Sequence, residues 1–406
     1  MSVKGMADIL PEESWKWEKI RSLFLENARR FGYKLIETPI VEHADLFIRG
    51  IGDGTDIVDK QMYLFNDKKG KHLALRPEGT ASAVRSFVEH KYNSELLHKW
   101  CYFGPMYRYE RPQKGRMRQF HQAGIEAFGV DDPALDAEQI ILARELLVGS
   151  FGIESVKILL NSIGCPACRP GWQVALVDYF RRYDRELCDN CRRRLDINPL
   201  RILDCKVQRC SEIAKDAPAG RNYLCGSCSA HHNKLKQYLS DMNIVFEDDP
   251  MLVRGLDYYT KTVFEITTDK LGSQSALIAG GRYNDLVKSL GGKDSPATGW
   301  AMGIERIFLL SDIKHASEKT VYFIALDEPS KIVLFKLFAS AAKRRNCRFD
   351  YKGGSLKSQL RRANGAGAQI CAIMGENERI SDTLLIKDMK NKTQKLIKID
   401  EFGETL

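Results

Sequence analysis

In the stretch GPMYRYERPQKGRMRQFHQAGIEAFG, Arg108 and Glu110 stand two residues apart, and Phe120, Gln122, Gly124, Glu126 and Phe128 repeat that step. Side chains alternate across a β-strand, so residues at this spacing share one face. The shared faces carry an arginine, two carboxylates, an amide and an aromatic ring, with a glycine leaving room in the middle. An apolar core does not suit them, because burying Glu126 without a partner costs several kcal/mol. They suit the floor of a pocket for a polar ligand with a flat ring. LRPEGT places Arg76, Glu78 and Thr80 at alternate positions and reads as a further polar strand face. LVRGLDYYTKTVFE sets Arg254 and Tyr258 four apart, with Asp257 and Tyr259 beside them. ATGWAMGIERI places Arg306 on a helix expected to begin after Gly299, where Ala301 and Gly303 allow close approach to a sheet.

The elements that must hold these residues follow from periodicity. Residues 100–110 and 118–130 read as a long antiparallel hairpin around a polar, basic loop, 111–117. After Pro11, the residues Trp17, Ile20, Phe24, Ala28 and Phe31 fall at helical steps up to Gly32. A strand over 34–41 carries Pro39, which points to an edge or an interface, since a central strand would lose a ladder bond there. From 73 to 130 the pattern alternates short strands with loops. A helix is expected over 136–149, strand grammar returns near Asp249, and a helix over 300–310 follows a glycine-rich stretch. From Val321 the order is strand, helix (331–345), strand, helix (356–363), strand (369–374) and strand (383–388), a small α/β domain with a largely parallel sheet.

The chain of 406 residues is long enough for two or three domains at roughly 150 residues each. Hydrophobic residues make up 44% and charged residues 28%, and no run approaches the ~18 apolar residues of a membrane span, which excludes a disordered or membrane-spanning chain. No secretory signal pattern opens the sequence, so a cytoplasmic location is expected. The net charge is +9, and residues 321–406 hold 16 basic against 10 acidic residues, a modest footprint for a polyanion such as nucleic acid. Eight of the eleven cysteines lie between Cys165 and Cys228. Cys165, Cys168, Cys188 and Cys191 form C-x2-C-x19-C-x2-C, a spacing fit for zinc; Cys205, Cys210, Cys225 and Cys228 form a looser C-x4-C-x14-C-x2-C. Clustered thiols with few aromatic residues suggest a metal-stapled insertion. Sequential and interleaved sharing of the pairs both remain open.

Four of these segments, in order, resemble those of histidyl-tRNA synthetases, a family of class II aminoacyl-tRNA synthetases. YKLIETPIVE is similar to the first class II motif, with Pro39 at the dimer interface; the hairpin is similar to the second motif, ATGWAMGIERI to the third, and LVRGLDYYTKTVFE to the family's histidine-binding signature. No GxxxxGK[ST] loop, HIGH or KMSKS segment occurs. The resemblance implies an α+β catalytic domain on a mostly antiparallel sheet, in two parts (1–160 and 249–318), interrupted by the Cys-rich insertion (161–248) and followed by an anticodon-binding α/β domain (319–406). It implies that Arg108 and Arg306 hold the α- and γ-phosphates of ATP, with Phe120 on the adenine ring and Glu110 on its amino edge. Histidine would rest on Glu78, Gly79, Thr80 and Gln122 by its amino end and on Glu126 and Tyr259 by its imidazole, with Tyr258 and Tyr283 closing the pocket. Arg254 would be the catalytic cation and Mg2+ would assist on the pyrophosphate. Gln113, Lys114, Arg116 and Arg118 would meet the acceptor end of tRNA, and the chain would be a homodimer. The alternative, a histidine-binding paralogue such as the regulatory subunit of ATP phosphoribosyltransferase, fits less well with both ATP arginines and a basic C-terminal module in place.

Overall fold

Pro11 opens a helix, Pro11–Arg30, whose first turn carries Glu12 and Glu13 and whose last carries Arg29 and Arg30, the charge order its dipole favours. The computed structural model describes residues 2–52, 55–92, 95–271, 276–315 and 319–402. The chain divides into two compact units, Met1–Ile313 and Lys314–Leu406.

The first unit is built on an eight-stranded sheet in the order Lys34–Leu35, His98–Tyr107, Gln119–Phe128, Ala297–Gly303, Ala276–Arg282, Thr260–Thr267, Lys157–Ser162, Glu247–Asp248. Only the two outermost pairs are parallel. Helix Pro11–Arg30 lays Ile20, Phe24 and Ala28 against one side, in a core with Ile125, Trp300 and Met302. The expected strand over 34–41 is two short ones. Lys34–Leu35 forms the sheet edge, and Val41–His43 joins a separate three-stranded sheet with Tyr63–Asn66 and His72–Leu75. Pro39 lies in the break, where the chain leaves one ladder for another.

Three further readings are corrected. LRPEGT is no strand face: a loop leads into a helix, Thr80–Glu89, and the carboxylate of Glu78 accepts the backbone N–H of Thr80 and Ala81, both at 2.7 Å. Residues 300–303 are strand, and the helix is Ile304–Leu310. The small residues that suggested helix packing follow a period of two: Trp300 and Met302 enter the core, while Gly299, Ala301 and Gly303 alternate with them. The strand grammar of 252–267 holds only from Thr260, because Asp257 is tied to Asn198, Arg201 and the carbonyl of Ile51.

The cysteine-rich segment is mainly helical, with Arg169–Arg181, Asp189–Ile197, Gln208–Ala214 and Gly226–Asp241. Its core is shared: Trp172, Leu176 and Phe180 pack in one cluster with Leu252, Val253, Tyr259 and Val263.

In the second unit a five-stranded sheet runs Cys347–Phe349, Val321–Ala325, Ile370–Met374, Thr383–Asp388, Gln394–Lys398. The first three strands are parallel and the last two antiparallel, so the sheet is mixed where a largely parallel one was expected. Its first helix is Glu328–Ala341, begun three residues early because Asp327 caps it by accepting the N–H of Ser330 at 2.7 Å. No helix among the described residues is long and apolar enough to cross a membrane.

Candidate active site

The hairpin and the strands Ala297–Gly303 and Ala276–Arg282 floor a cavity of about 280 Å³. Its walls bring together Glu78, Thr80, Arg108, Glu110, Phe120, Gln122, Arg254, Tyr258, Tyr259 and Arg306, from five segments of the sequence.

At one end the floor is polar and dry. Glu126 has no exposure, and Gly299 faces it across the ladder; a Cβ there would sit 1.8 Å from the carboxylate. Glu126 accepts from the hydroxyl of Thr80 at 2.7 Å, from that of Tyr102 at 3.3 Å, and from that of Tyr283. Glu126 and Tyr283 therefore lie one hydroxyl layer beneath the cavity. Tyr102 was not anticipated; it occupies space left by Gly79 and Gly124, at both of which a Cβ would fall 2.3–2.4 Å from its ring or hydroxyl. Tyr258 packs tilted against Tyr259 and edge-on to Tyr283, at centroid distances of 4.7 and 5.5 Å. Gln122 is buried, and its Oε1 has no partner among the described residues, which leaves an acceptor for a ligand. Behind Tyr283, buried Arg282 pairs with Asp136 at 3.0 Å and fixes the strand end.

Burial pushes the Glu126 carboxyl up from 4.5 to about 8, against the pull of its three hydroxyl donors. Between those values the folded protein keeps a proton that the unfolded chain has released, so Glu126 makes folding less favourable as pH rises through the window. Urea midpoints measured across that range should fall more steeply for the parent than for Glu126→Gln; parallel curves would show the carboxyl ionised throughout.

The other end is cationic. Arg108 donates through Nε to the carbonyl of Pro77 at 2.8 Å and lies over the Phe120 ring, 5.3 Å from its centroid. Arg254 pairs with Glu265 at 3.0 Å, and its buried Nε has no partner among the described residues. Arg306 donates to the carbonyls of Gly115 and Ala276. Glu265, missed in the sequence, was legible as a charge inside the apolar strand TKTVFEIT. Arg76 is absent from the walls: it is buried and clamps the carbonyls of Thr38 and Pro105 at 2.8 and 2.9 Å.

The hairpin loop is divided. Gln113 and Lys114 are exposed, whereas Arg116 pairs with Glu110 at the cavity and Arg118 lies over Tyr109, 3.9 Å from the ring centroid. The eight clustered cysteines form two groups, Cys165, Cys168, Cys225 and Cys228, and Cys188, Cys191, Cys205 and Cys210, with the sulfurs of each within 4.8 Å of one another. This sharing is nested, neither sequential nor interleaved. Such groups can bind metal.

The family described as histidyl-tRNA synthetase matches residues 5–166 and 204–307, and that described as anticodon binding domain matches 338–406. The histidine–tRNA ligases of Halothermothrix orenii and Pelotomaculum thermopropionicum are 45% and 44% identical over 398 and 407 residues, covering 96% and 98% of this chain and 95% of each relative. The apo crystal structure of the Staphylococcus aureus histidyl-tRNA synthetase superposes with a TM-score of 0.84 at 32% identity, over 100% of this chain and 98% of that one. A Bacillus halodurans structure, titled as an ATP phosphoribosyltransferase regulatory subunit/histidyl-tRNA synthetase, has a TM-score of 0.66 at 22% identity over 92% of this chain and 97% of that one, and shares the fold. With a floor of polar groups, a cationic end and matches of this extent, the chain belongs to the histidyl-tRNA synthetase family of class II aminoacyl-tRNA synthetases.

Proposed function

We infer that the chain activates L-histidine with ATP to histidyl-adenylate and pyrophosphate, and transfers the histidine to the 3′ end of its tRNA. The observation that carries this reading is the meeting, in one cavity, of Arg108, Arg254 and Arg306 with an unpartnered Gln122 acceptor above a buried Glu126. A paralogue that only senses histidine has no need of the arginines. Labelled histidine should become acid-precipitable on the cognate tRNA when ATP is present; its failure to do so with folded enzyme would refute the reading.

ATP lies with adenine on Phe120, its amino edge toward Glu110, and its phosphates bent between Arg108 and Arg306, whose planar forks suit phosphate oxygens. Glu78, Gly79, Thr80 and Gln122 take the α-amino end of histidine. As Thr80 turns to the amino group, Glu126 accepts the imidazole N–H, Tyr259 holds the other nitrogen, and Tyr258 and Tyr283 close the pocket. The histidine carboxylate attacks the α-phosphorus; the new O–P bond forms as the bond to pyrophosphate breaks. Arg254 touches both anions, so their repulsion falls in the transition state. The carboxylate of Glu305 lies in the cavity wall next to Arg306, a hard oxygen donor that would fit Mg2+. Magnesium supplies charge neutralisation on the departing pyrophosphate. The terminal hydroxyl of tRNA then attacks the activated carbonyl, releasing AMP.

The exposed Gln113 and Lys114 of the hairpin loop meet the acceptor end of tRNA. Arg116 of the same loop lines a trough of mixed charge, in which Arg194, Lys206 and Arg306 stand with Asp56, Asp204, Asp249 and Glu265. The second unit, with its excess of basic residues, takes the anticodon. Removing residues from about 321 onward should leave a fragment that still makes adenylate but charges tRNA poorly. Unimpaired charging by a fragment shown to be folded would contradict anticodon binding there. Leu35, Ile40, Val41, Leu64 and Phe65 are exposed around the Pro39 break and support a homodimer across that face. A cytoplasmic location follows from the tRNA partner. The two cysteine groups hold structural zinc.

A further inference from the structure

We propose that the insertion carries two independent tetrathiolate zinc sites, Cys165/Cys168/Cys225/Cys228 and Cys188/Cys191/Cys205/Cys210, and that together they position the histidine-binding loop, residues 252–259. The proposal rests on the zinc reading above and adds its pairing and its task.

The sulfur geometry fits the ion. Four thiolates about 2.3 Å from a tetrahedral zinc stand about 3.8 Å from one another. In the first group Cys165 and Cys168 sulfurs are 3.5 Å apart, Cys165 and Cys225 3.9 Å, and Cys168 and Cys228 3.8 Å. In the second, Cys188 and Cys205 sulfurs are 3.9 Å apart. A disulfide needs about 2.05 Å, and all eight thiols are free. Backbone N–H groups turn toward the sulfurs, as around bound thiolates: that of Cys165 donates to Cys168 at 3.0 Å and that of Cys188 to Cys210 at 3.2 Å. Gly164 holds a positive φ of 72°, and a Cβ on it would lie 2.6 Å from the Cys168 sulfur, so the turn admits the cluster only as glycine. The first group joins the start of helix Arg169–Arg181 to the start of helix Gly226–Asp241, and the second lies between these two helices in the sequence, so the pairing is nested along the chain.

Both sites reach the loop. Beside the first, Arg169 donates to the carbonyl of Tyr259, while the N–H of Lys261 bonds the carbonyl of Gly164 and the N–H of Ile163 that of Lys261, each at 2.8 Å. Within the second, the segment between Cys191 and Cys205 carries Asn198 and Arg201, which both donate to Asp257 Oδ1, at 2.9 and 3.0 Å. Tyr258 is thus flanked by Asp257, held by two residues that lie between Cys191 and Cys205, and by Tyr259, held by the residue that follows Cys168. Leu252, Val253 and Tyr259 share their apolar core with Cys191, Cys205 and Cys210, so the loop rests on the metal-bound scaffold by packing as well. Asn198, Arg169 and Arg201 are positioning residues: they act on histidine through Asp257 and Tyr259.

The test uses the full-length chain. Metal analysis of protein prepared without chelator should find two zinc per chain, and Co2+ added to stripped protein should develop thiolate charge-transfer absorption that saturates at two equivalents. Cys165→Ser with Cys225→Ser should keep one equivalent, because both residues belong to one site; loss of both equivalents, as a sequential arrangement requires, would overturn the pairing. Asn198→Ala with Arg201→Ala leaves all eight thiols in place. It should keep two metals yet raise the histidine KM roughly tenfold or more, with the ATP KM little changed. Two metals with an unchanged histidine KM would refute positioning and leave the sites standing. No bound metal and no cobalt spectrum, with all eight thiols titratable in the folded protein, would remove the sites themselves; neither result bears on the ligase activity.

Discussion

Arg254→Ala is expected to form histidyl-adenylate about 100 to 1,000 times more slowly than the parent, with far smaller changes in the binding of ATP and histidine. That magnitude is what a single preorganised charge contact contributes when it acts on charge that develops in the transition state, about 3 kcal/mol or more. Arg254 is suited to the role because little about it must reorganise. Its guanidinium is anchored to Glu265 at 3.0 Å, and its buried Nε has no partner among the described residues. The substitution also strands the Glu265 carboxylate, so Arg254→Ala combined with Glu265→Gln serves as a control for that second effect. Rapid-quench measurement of a single turnover separates chemistry from binding. A rate within about tenfold of the parent in both variants would remove Arg254 from catalysis.

Glu126→Ala is expected to raise the histidine KM steeply while the ATP KM stays near that of the parent. The difference arises because Glu126 lies under the histidine end of the cavity, while the groups assigned to ATP lie at its cationic end. A buried acceptor matched to an imidazole N–H rejects amino acids that lack one, by a factor on the order of 10⁴ where such a group would be left unpaired. In the variant the hydroxyls of Thr80, Tyr102 and Tyr283 lose their common acceptor, so discrimination against other amino acids should fall along with affinity. The fold should survive, since the change removes a carboxyl whose burial is unfavourable. Equal losses for histidine and ATP would make Glu126 a structural residue only.

The ligand chemistry was legible in the sequence wherever a regular strand carried it. Gln119–Phe128 is one unbroken strand, so its period of two puts Phe120 and Gln122 in the cavity wall and Glu126 on the same side, beneath the wall behind the Thr80 hydroxyl. Where the carrier is irregular, spacing misled. Glu78 and Thr80 face the cavity through a loop and a helix cap, and Arg76, read as their companion, is a clamp instead. Gly299, Ala301 and Gly303 satisfied either a close helix contact or a strand face with no side chains; only the ladder to Glu126 decides between them. Tyr102 was hidden because its significance rests on two distant glycines, Gly79 and Gly124, whose missing Cβ atoms make its space. The pairing of the cysteines was beyond reach for a related reason: their spacing satisfies several closures, and the choice among them is made by how the insertion helices pack.

The most direct test of the central claim is histidine-dependent exchange of labelled pyrophosphate into ATP by the purified full-length chain. Exchange should require histidine and Mg2+, should not be supported by other amino acids, and should slow about 100- to 1,000-fold in Arg254→Ala. Absence of exchange in folded protein that still binds histidine would contradict the assignment and leave a histidine-binding protein on a synthetase fold.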